Sequence, residues 1–284
     1  MRLRVIDSVC IGAGSINEDM WNARREAVWV IDGATSLAPS RFPNKTDASW
    51  FVEKLSDEIS TAIEAESSLG KADLDLICSR LRRQFSIETQ QLIDPSQEEP
   101  SASLSLVMVK NGCLQLFNIG DCRAYWWTAG SGVQRFGASN VERFDRKAID
   151  LLVSLQKSSP ESRLVDLWPE VRALILKNRR MANVDGGYYV ARMSPDWLDH
   201  VERKKIALDQ PVNVLICSDG FYRAIDTFGL LKPKDVPAAL AREGIMGLAR
   251  LVRERELDDP ECRAYPRLKR SDDLTAVWVT FEDV

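Results

Sequence analysis

Histidine is almost missing from this chain: His200 is the single one among 284 residues. The six cysteines, Cys10, Cys78, Cys113, Cys122, Cys217 and Cys262, contain no C-x-x-C pair. These two shortages argue against a zinc site built on nitrogen and sulfur. Cysteines scattered in or beside apolar runs read as reduced core residues rather than a disulfide framework. No charge of one sign dominates either. The net charge of -4 provides no basic field for a nucleic-acid backbone or an anionic membrane. Local basic clusters at 80–83, 179–180 and 267–270 read as solvated faces. No apolar stretch approaches membrane-spanning length, and the opening residues lack the long apolar segment of a secretion signal, so a cytoplasmic location is expected. A G-x-x-x-x-G-K-[ST] loop is also absent, which argues against a P-loop nucleotide hydrolase.

What remains is a globular composition, 45% hydrophobic and 28% charged, able to bury a substantial core. No repeat, low-complexity tract or linker interrupts it, and one domain over 1–284 is expected. Residues 5–11 and 27–31 read as strands. Phe51, Leu55, Ile59 and Ile63 recur at helical spacing behind a cap at Thr46 or Asp47, and Leu74, Ile77, Leu81 and Phe85 repeat the pattern. After a polar break at 97–100, residues 101–109 and 113–117 flank Asn111-Gly112, a hairpin signal, and 124–127 continues as a strand. Residues 146–181 read as helical, with Ser159 and Pro160 as N-cap and first turn before Leu164. Strands are expected at 188–191, 212–217 and 274–281, and a helix at 236–252. This order suits sheets packed face to face with helices outside.

Two of these apolar runs stop on the same pair, Asp32-Gly33 and Asp219-Gly220. Such a pair brings a carboxylate to a sheet rim and lets backbone approach a ligand closely. Asn118-Ile119-Gly120-Asp121 ends a third run, and Ser271-Asp272-Asp273 precedes a fourth. Converging carboxylates repel each other by roughly 4 kcal/mol for a pair at 4 Å. Cations or protons must offset that cost, and hard divalent ions prefer oxygen donors of this kind. Two such ions suit the hydrolysis of a phosphate ester.

Five blocks, Asn17-Glu18-Asp19, Val30-Ile31-Asp32-Gly33, Asn118-Ile119-Gly120-Asp121-Cys122-Arg123, Cys217-Ser218-Asp219-Gly220 and Ser271-Asp272-Asp273-Leu274-Thr275, stand in an order that resembles the metal-dependent, type 2C serine/threonine protein phosphatases of bacterial type. The resemblance spans Glu18 to Val279. It implies an α+β, four-layer αββα fold, a central antiparallel β-sandwich flanked by helices. It also implies a centre of two Mn²⁺ or Mg²⁺ ions, with a weaker third shared by Asp121 and Asp219. Asp32 would bridge the ions, Gly33 would offer its carbonyl, Asp219 and Asp272 would complete one shell, and Glu18, with Asp19 beside it, would serve the other through water. A metal-bound water would attack the phosphate of a phosphorylated protein, opposing a serine/threonine kinase.

Two family positions depart from the pattern. Gly14 stands where many members carry a phosphate-binding arginine, leaving Arg270 and Arg24 as candidate replacements, and Ala34 stands where animal members have a histidine. These departures motivate the alternative of a weak or inactive pseudophosphatase that binds a partner. A phosphatase of small metabolites is a third reading. Asp32-Gly33-Ala34-Thr35 lacks the second aspartate that aspartyl-phosphate chemistry needs. Arg123 reads as structural, Asp273 as an accessory acid, the eight tryptophans as packing residues, and 146–205 as the element that selects substrates.

Overall fold

The computed structural model describes residues 1–66, 68–90 and 98–282; residue 97 of the polar break lies outside them. In chain order the strands are β1 (Arg2–Ile11), β2 (Asp19–Arg24), β3 (Ala27–Gly33), β4 (Ser101–Lys110), β5 (Cys113–Ile119), β6 (Arg123–Thr128), β7 (Gln134–Phe136), β8 (Ala191–Arg192), β9 (Glu202–Ala207), β10 (Val212–Cys217) and β11 (Leu274–Glu282). The helices are α1 (Asp47–Glu64), α2 (Lys71–Thr89), α3 (Val141–Ser158), α4 (Leu164–Arg179), α5 (Asp219–Asp226) and α6 (Val236–Asp258). One sheet runs β1-β11-β10-β6-β7 and the other β2-β3-β4-β5-β9, with β8 on β4; all these pairings are antiparallel.

Period-two alternation builds the layers. In β3, Val28 and Val30 face Val214, Ile216, Val277 and Val279 of the opposite sheet, while Trp29 and Ile31 face outward into α1 and α2. In β10, Val212, Val214 and Ile216 point inward, and Leu215 and Cys217 point out against α5 and α6. The result is helix, sheet, sheet, helix. The pair α3 and α4 closes on its own apolar cluster of Ala148, Leu152, Leu167 and Val171, with Leu268 against it. Among the described residues no helix is long and apolar enough to cross a membrane.

Several local expectations shift. Thr46 does cap α1, accepting from Ser49 N. Ser159 instead closes α3, and α4 starts at Leu164 behind Arg163, because Asp166 turns back to accept from Arg163 N. Within 188–191 only Ala191 joins a named strand, and Tyr188 makes an isolated bridge to Ala182. Arg267, expected on a solvated face, is buried, where Asp259 accepts from its guanidinium at 2.9 Å. The six cysteines are free thiols.

Candidate active site

The same alternation that fills the sandwich aims the acids. Asp32 continues the inward row of Val28 and Val30 past the end of the apolar core. Asp19, its register partner across β2, continues the inward row of Trp21 and Ala23, and Ser103 faces Asp32 from β4. Like charges directly opposite on neighbouring strands are unfavourable, so this row costs free energy unless a proton or a cation offsets it. Asp121, in the β5–β6 turn, joins it: Ser103 Oγ donates to Asp121 Oδ1 at 2.5 Å and accepts from Asp121 N at 3.1 Å.

The other sheet meets this row at the same rim. β10 ends at Cys217 beside the start of β11, so Asp219 and the 272–273 pair emerge together. Ser218 Oγ crosses between the sheets to donate to Asp19 Oδ2 at 2.7 Å. Asp273 clamps the approach to β2, its two oxygens accepting from Ala13 N and Glu18 N at 2.7 Å each. Both Asp-Gly glycines serve close backbone contacts within the protein. Gly33 N donates to Glu18 O, and a Cβ on Gly33 would lie 2.7 Å from that oxygen. At Gly220 a Cβ would lie 1.9 Å from the Asp273 carbonyl oxygen. These glycines let the rim loops close up.

The electrostatics are those of a site short of positive charge. Burial, with repulsion from Asp19, Asp219, Asp121 and Asp272, pushes the Asp32 carboxyl well above the usual range. Burial and then Asp272 do the same to Asp219, and burial raises Asp121. Asp19 is pushed up to about 7 by burial and by the charges of Asp273 and Asp272. Asp272 goes the other way. Burial would raise it, but Lys269 and Arg223 more than offset that. Lys269 Nζ donates to Asp272 Oδ1 at 2.9 Å, and Arg223 Nη2 donates to Oδ2 at 2.7 Å. Behind Arg223 lies Glu256, fully buried and paired to it at 2.9 Å.

Among the described residues no three acid, histidine or cysteine side chains stand ready as a cage for one ion. Asp19, Asp121 and Asp272 are turned instead toward protein donors: Ser218, Ser103, and Lys269 with Arg223, respectively. The donor set still fits a hard divalent cation in kind. It consists of carboxylates and carbonyls, the buried Glu18 Oε1 has no hydrogen-bond partner, and an ammonium already stands among the acids.

Of the two candidate replacements for the missing arginine, neither reaches the acids. Arg24 bonds Ser60 and pairs with Glu64 on α1, and Arg270 Nε donates to Pro260 O. Lys269, one residue earlier, is the cation that stands among the acids, donating to Asp272 and also to Thr35 Oγ1 at 3.3 Å. Its spacing of three from Asp272 was a signal, masked by the neighbouring arginine. Arg223, four residues after Asp219 on α5, was equally open to detection. Arg123 pairs with Glu142 and stacks 3.9 Å above the Tyr222 ring. His200 is exposed and stacks on Tyr189. The α3–α4 pair leans over this rim: Arg179 donates to Thr35 O, Arg172 donates to Leu37 O at 2.8 Å, and Asp145 is raised to about 7 by burial and the Asp121 charge.

Residues 8–243 match the family model described as protein phosphatase 2C. The chain belongs to the protein phosphatase 2C family. The match takes in the phosphatase 2C blocks from Glu18 to Asp219 and stops short of Asp272. No curated protein matches the chain in sequence. Its fold is similar to that of the serine/threonine phosphatase PstP/Ppp of Mycobacterium tuberculosis (15% identity, TM-score 0.56, 100% of both chains covered). It is also similar to Stp1 from Staphylococcus aureus (14%, 0.54, 99% of this chain and 96% of that one). A third similar structure is the catalytic domain of the phosphatase PstP, solved in complex with 2 manganese ions (16%, 0.55, 99% of each). At such identities the likeness to solved phosphatase 2C structures is one of fold.

Proposed function

We propose that this chain hydrolyses phosphoserine and phosphothreonine in proteins, as a single domain that depends on Mn²⁺ or Mg²⁺. The observation that carries the reading is the row Asp19, Asp32 and Ser103 at the sandwich rim, facing Asp219 and Asp272 from the other sheet. Asp32, the Gly33 carbonyl, Asp219 and Asp272 would hold one ion. Asp32 would share its carboxylate with a second, served by Glu18 with Asp19 beside it, and Asp121 with Asp219 would take a weaker third. When bound, such ions lower the pKa of a water and stabilise charge in an in-line displacement at phosphorus.

The chain's own groups support attack by water. Ser218 Oγ is engaged with Asp19 and Thr275. The Cys122 thiol is pushed up by burial and the charges of Asp32 and Asp121, and burial raises Cys217 to about 12, so neither is a nucleophile. Arg223 holds Asp272 in orientation, and Asp273 keeps Glu18 at the rim through its amide. Lys269 keeps a positive charge at the mouth, where a phosphate dianion would arrive. The substrate would then be the product of a serine/threonine kinase. Family membership favours turnover over the binding-only alternative.

A phosphothreonine peptide assay in Mn²⁺ tests this. Asp219→Asn should lower the rate by about 10²-fold or more, the scale of losing one electrostatic group from such a site. Equal rates in both proteins would refute the assignment. Calorimetry that shows Mn²⁺ binding in the wild type without hydrolysis would return the pseudophosphatase reading.

A further inference from the structure

A cavity of about 370 Å³ opens between the start of α4 and the loop that leads into β11. That is within the range of roughly 300–1,000 Å³ typical of ligand pockets. Its apolar wall is Val165, Trp168 and Leu268, and its cationic side is Arg163, Lys269 and Arg270. Val165 is 63% exposed, so one apolar wall faces solvent uncovered. Lys269 belongs to two places at once: it lines this cavity and donates to Asp272 in the acid cluster. Lys269 therefore forms the border between the groove and the acid cluster.

We propose that this groove seats the residues flanking the phosphorylated residue of a protein substrate, and that it selects a bulky apolar side chain followed or preceded by an acidic one. The inference rests on the phosphatase reading above and assigns its substrate preference. Charge complementarity identifies the acidic partner. Glu261 is the one carboxylate of the lining, and it is engaged by the Leu164 amide. Arg163 is taken up by Asp166 at 3.4 Å. Arg270 is the least committed cation: its side chain is 59% exposed, its Nε donates to the Pro260 carbonyl at 3.3 Å, and its ion pair with Glu261 spans 4.0 Å. A guanidinium so placed offers a fork to an incoming carboxylate. The apolar wall identifies the other partner, because Trp168 and Leu268 provide a surface that a small or charged side chain would leave wet. The groove keeps its shape because Leu268 packs into the α3–α4 cluster and Arg172 and Arg179 tie α4 to the loop after β3.

The test compares two substrates on the Mn²⁺-loaded protein. p-Nitrophenyl phosphate has no flanking residues, whereas phosphothreonine peptides can carry either Leu and Glu or Gly and Lys beside the phosphorylated residue. Wild type should favour the Leu/Glu peptide. Arg270→Glu and Val165→Asp, both at exposed positions that folding tolerates, should each raise its KM about tenfold while leaving p-nitrophenyl phosphate turnover unchanged. Equal KM for both peptides in the wild type, or variants that change both substrates in proportion, would overturn the proposal. Absence of turnover on p-nitrophenyl phosphate would instead sink the phosphatase reading, and this inference with it.

Discussion

At the scale of single residues, the site depends on groups that fix the acids from behind. Arg223 joins Asp272 to the fully buried Glu256. Arg223→Met should lower stability by about 3 kcal/mol, the low end for a broken buried pair because Arg253 still reaches Glu256 at 2.6 Å. It should also weaken Mn²⁺ binding by about 10–100-fold, the usual effect of losing a group that orients a ligand. Denaturant melts and calorimetry read the two losses separately; unchanged Mn²⁺ affinity would mean that Asp272 needs no such support. Gly220→Ala forces a methyl against the Asp273 carbonyl. A cost of about 1–3 kcal/mol follows from overpacking, and a melt within 0.5 kcal/mol of wild type would show that the loop yields freely.

At the scale of elements, α6 shows how the chain handles a break. Gly244 leaves the helical region at φ +67, and Asp7 Oδ2 accepts from Ile245 N at 2.7 Å, so a β1 side chain caps the second half of the helix. Asp7→Ala should remove about 1 kcal/mol, as loss of a cap does, and leave Mn²⁺ affinity unchanged because Asp7 pairs with Trp278 along β11, whereas Asp272 precedes the start of that strand. A combined denaturation and metal titration checks both. Elements with strong periodicity were legible beforehand: α1, α2, β10 and β11 follow from their apolar repeats, and the β4–β5 hairpin from Asn111-Gly112, both at positive φ. Short edge strands were not. β9, with exposed Arg203, Lys204 and Lys205, has no apolar alternation to announce it and exists because β5 offers it an edge.

At the scale of the whole molecule, the acids make stability depend on pH. Asp19 and Asp145 have folded pKa values of about 7, above the ordinary 3.8, so between those values the folded chain keeps protons that the unfolded chain has lost. Stability from these two groups is greatest below the ordinary value and falls as pH rises through about 7. Asp272, held below its ordinary value, has the opposite sign and matters only in acid. In chelator, the melting temperature should therefore fall between pH 5 and pH 8, and Mn²⁺ should raise it more at pH 8, where the acids are ionised. A chelated protein that melts higher at pH 8 than at pH 5 would contradict the electrostatic picture of the rim.

Periodicity and strand-ending acids in the sequence were enough to determine two packed sheets, the outer helices and which carboxylates sit at strand ends, because each of these follows from local alternation and from residues that stop a strand. Only the tertiary structure decided that Asp19, Asp32 and Ser103 form one row, that Ser218 and Asp273 stitch the two sheets together, and that Lys269 rather than Arg270 or Arg24 stands among the acids. Those relations depend on register between strands distant in sequence and on the direction of individual side chains. A one-residue slip would turn every acid of a strand to the opposite face.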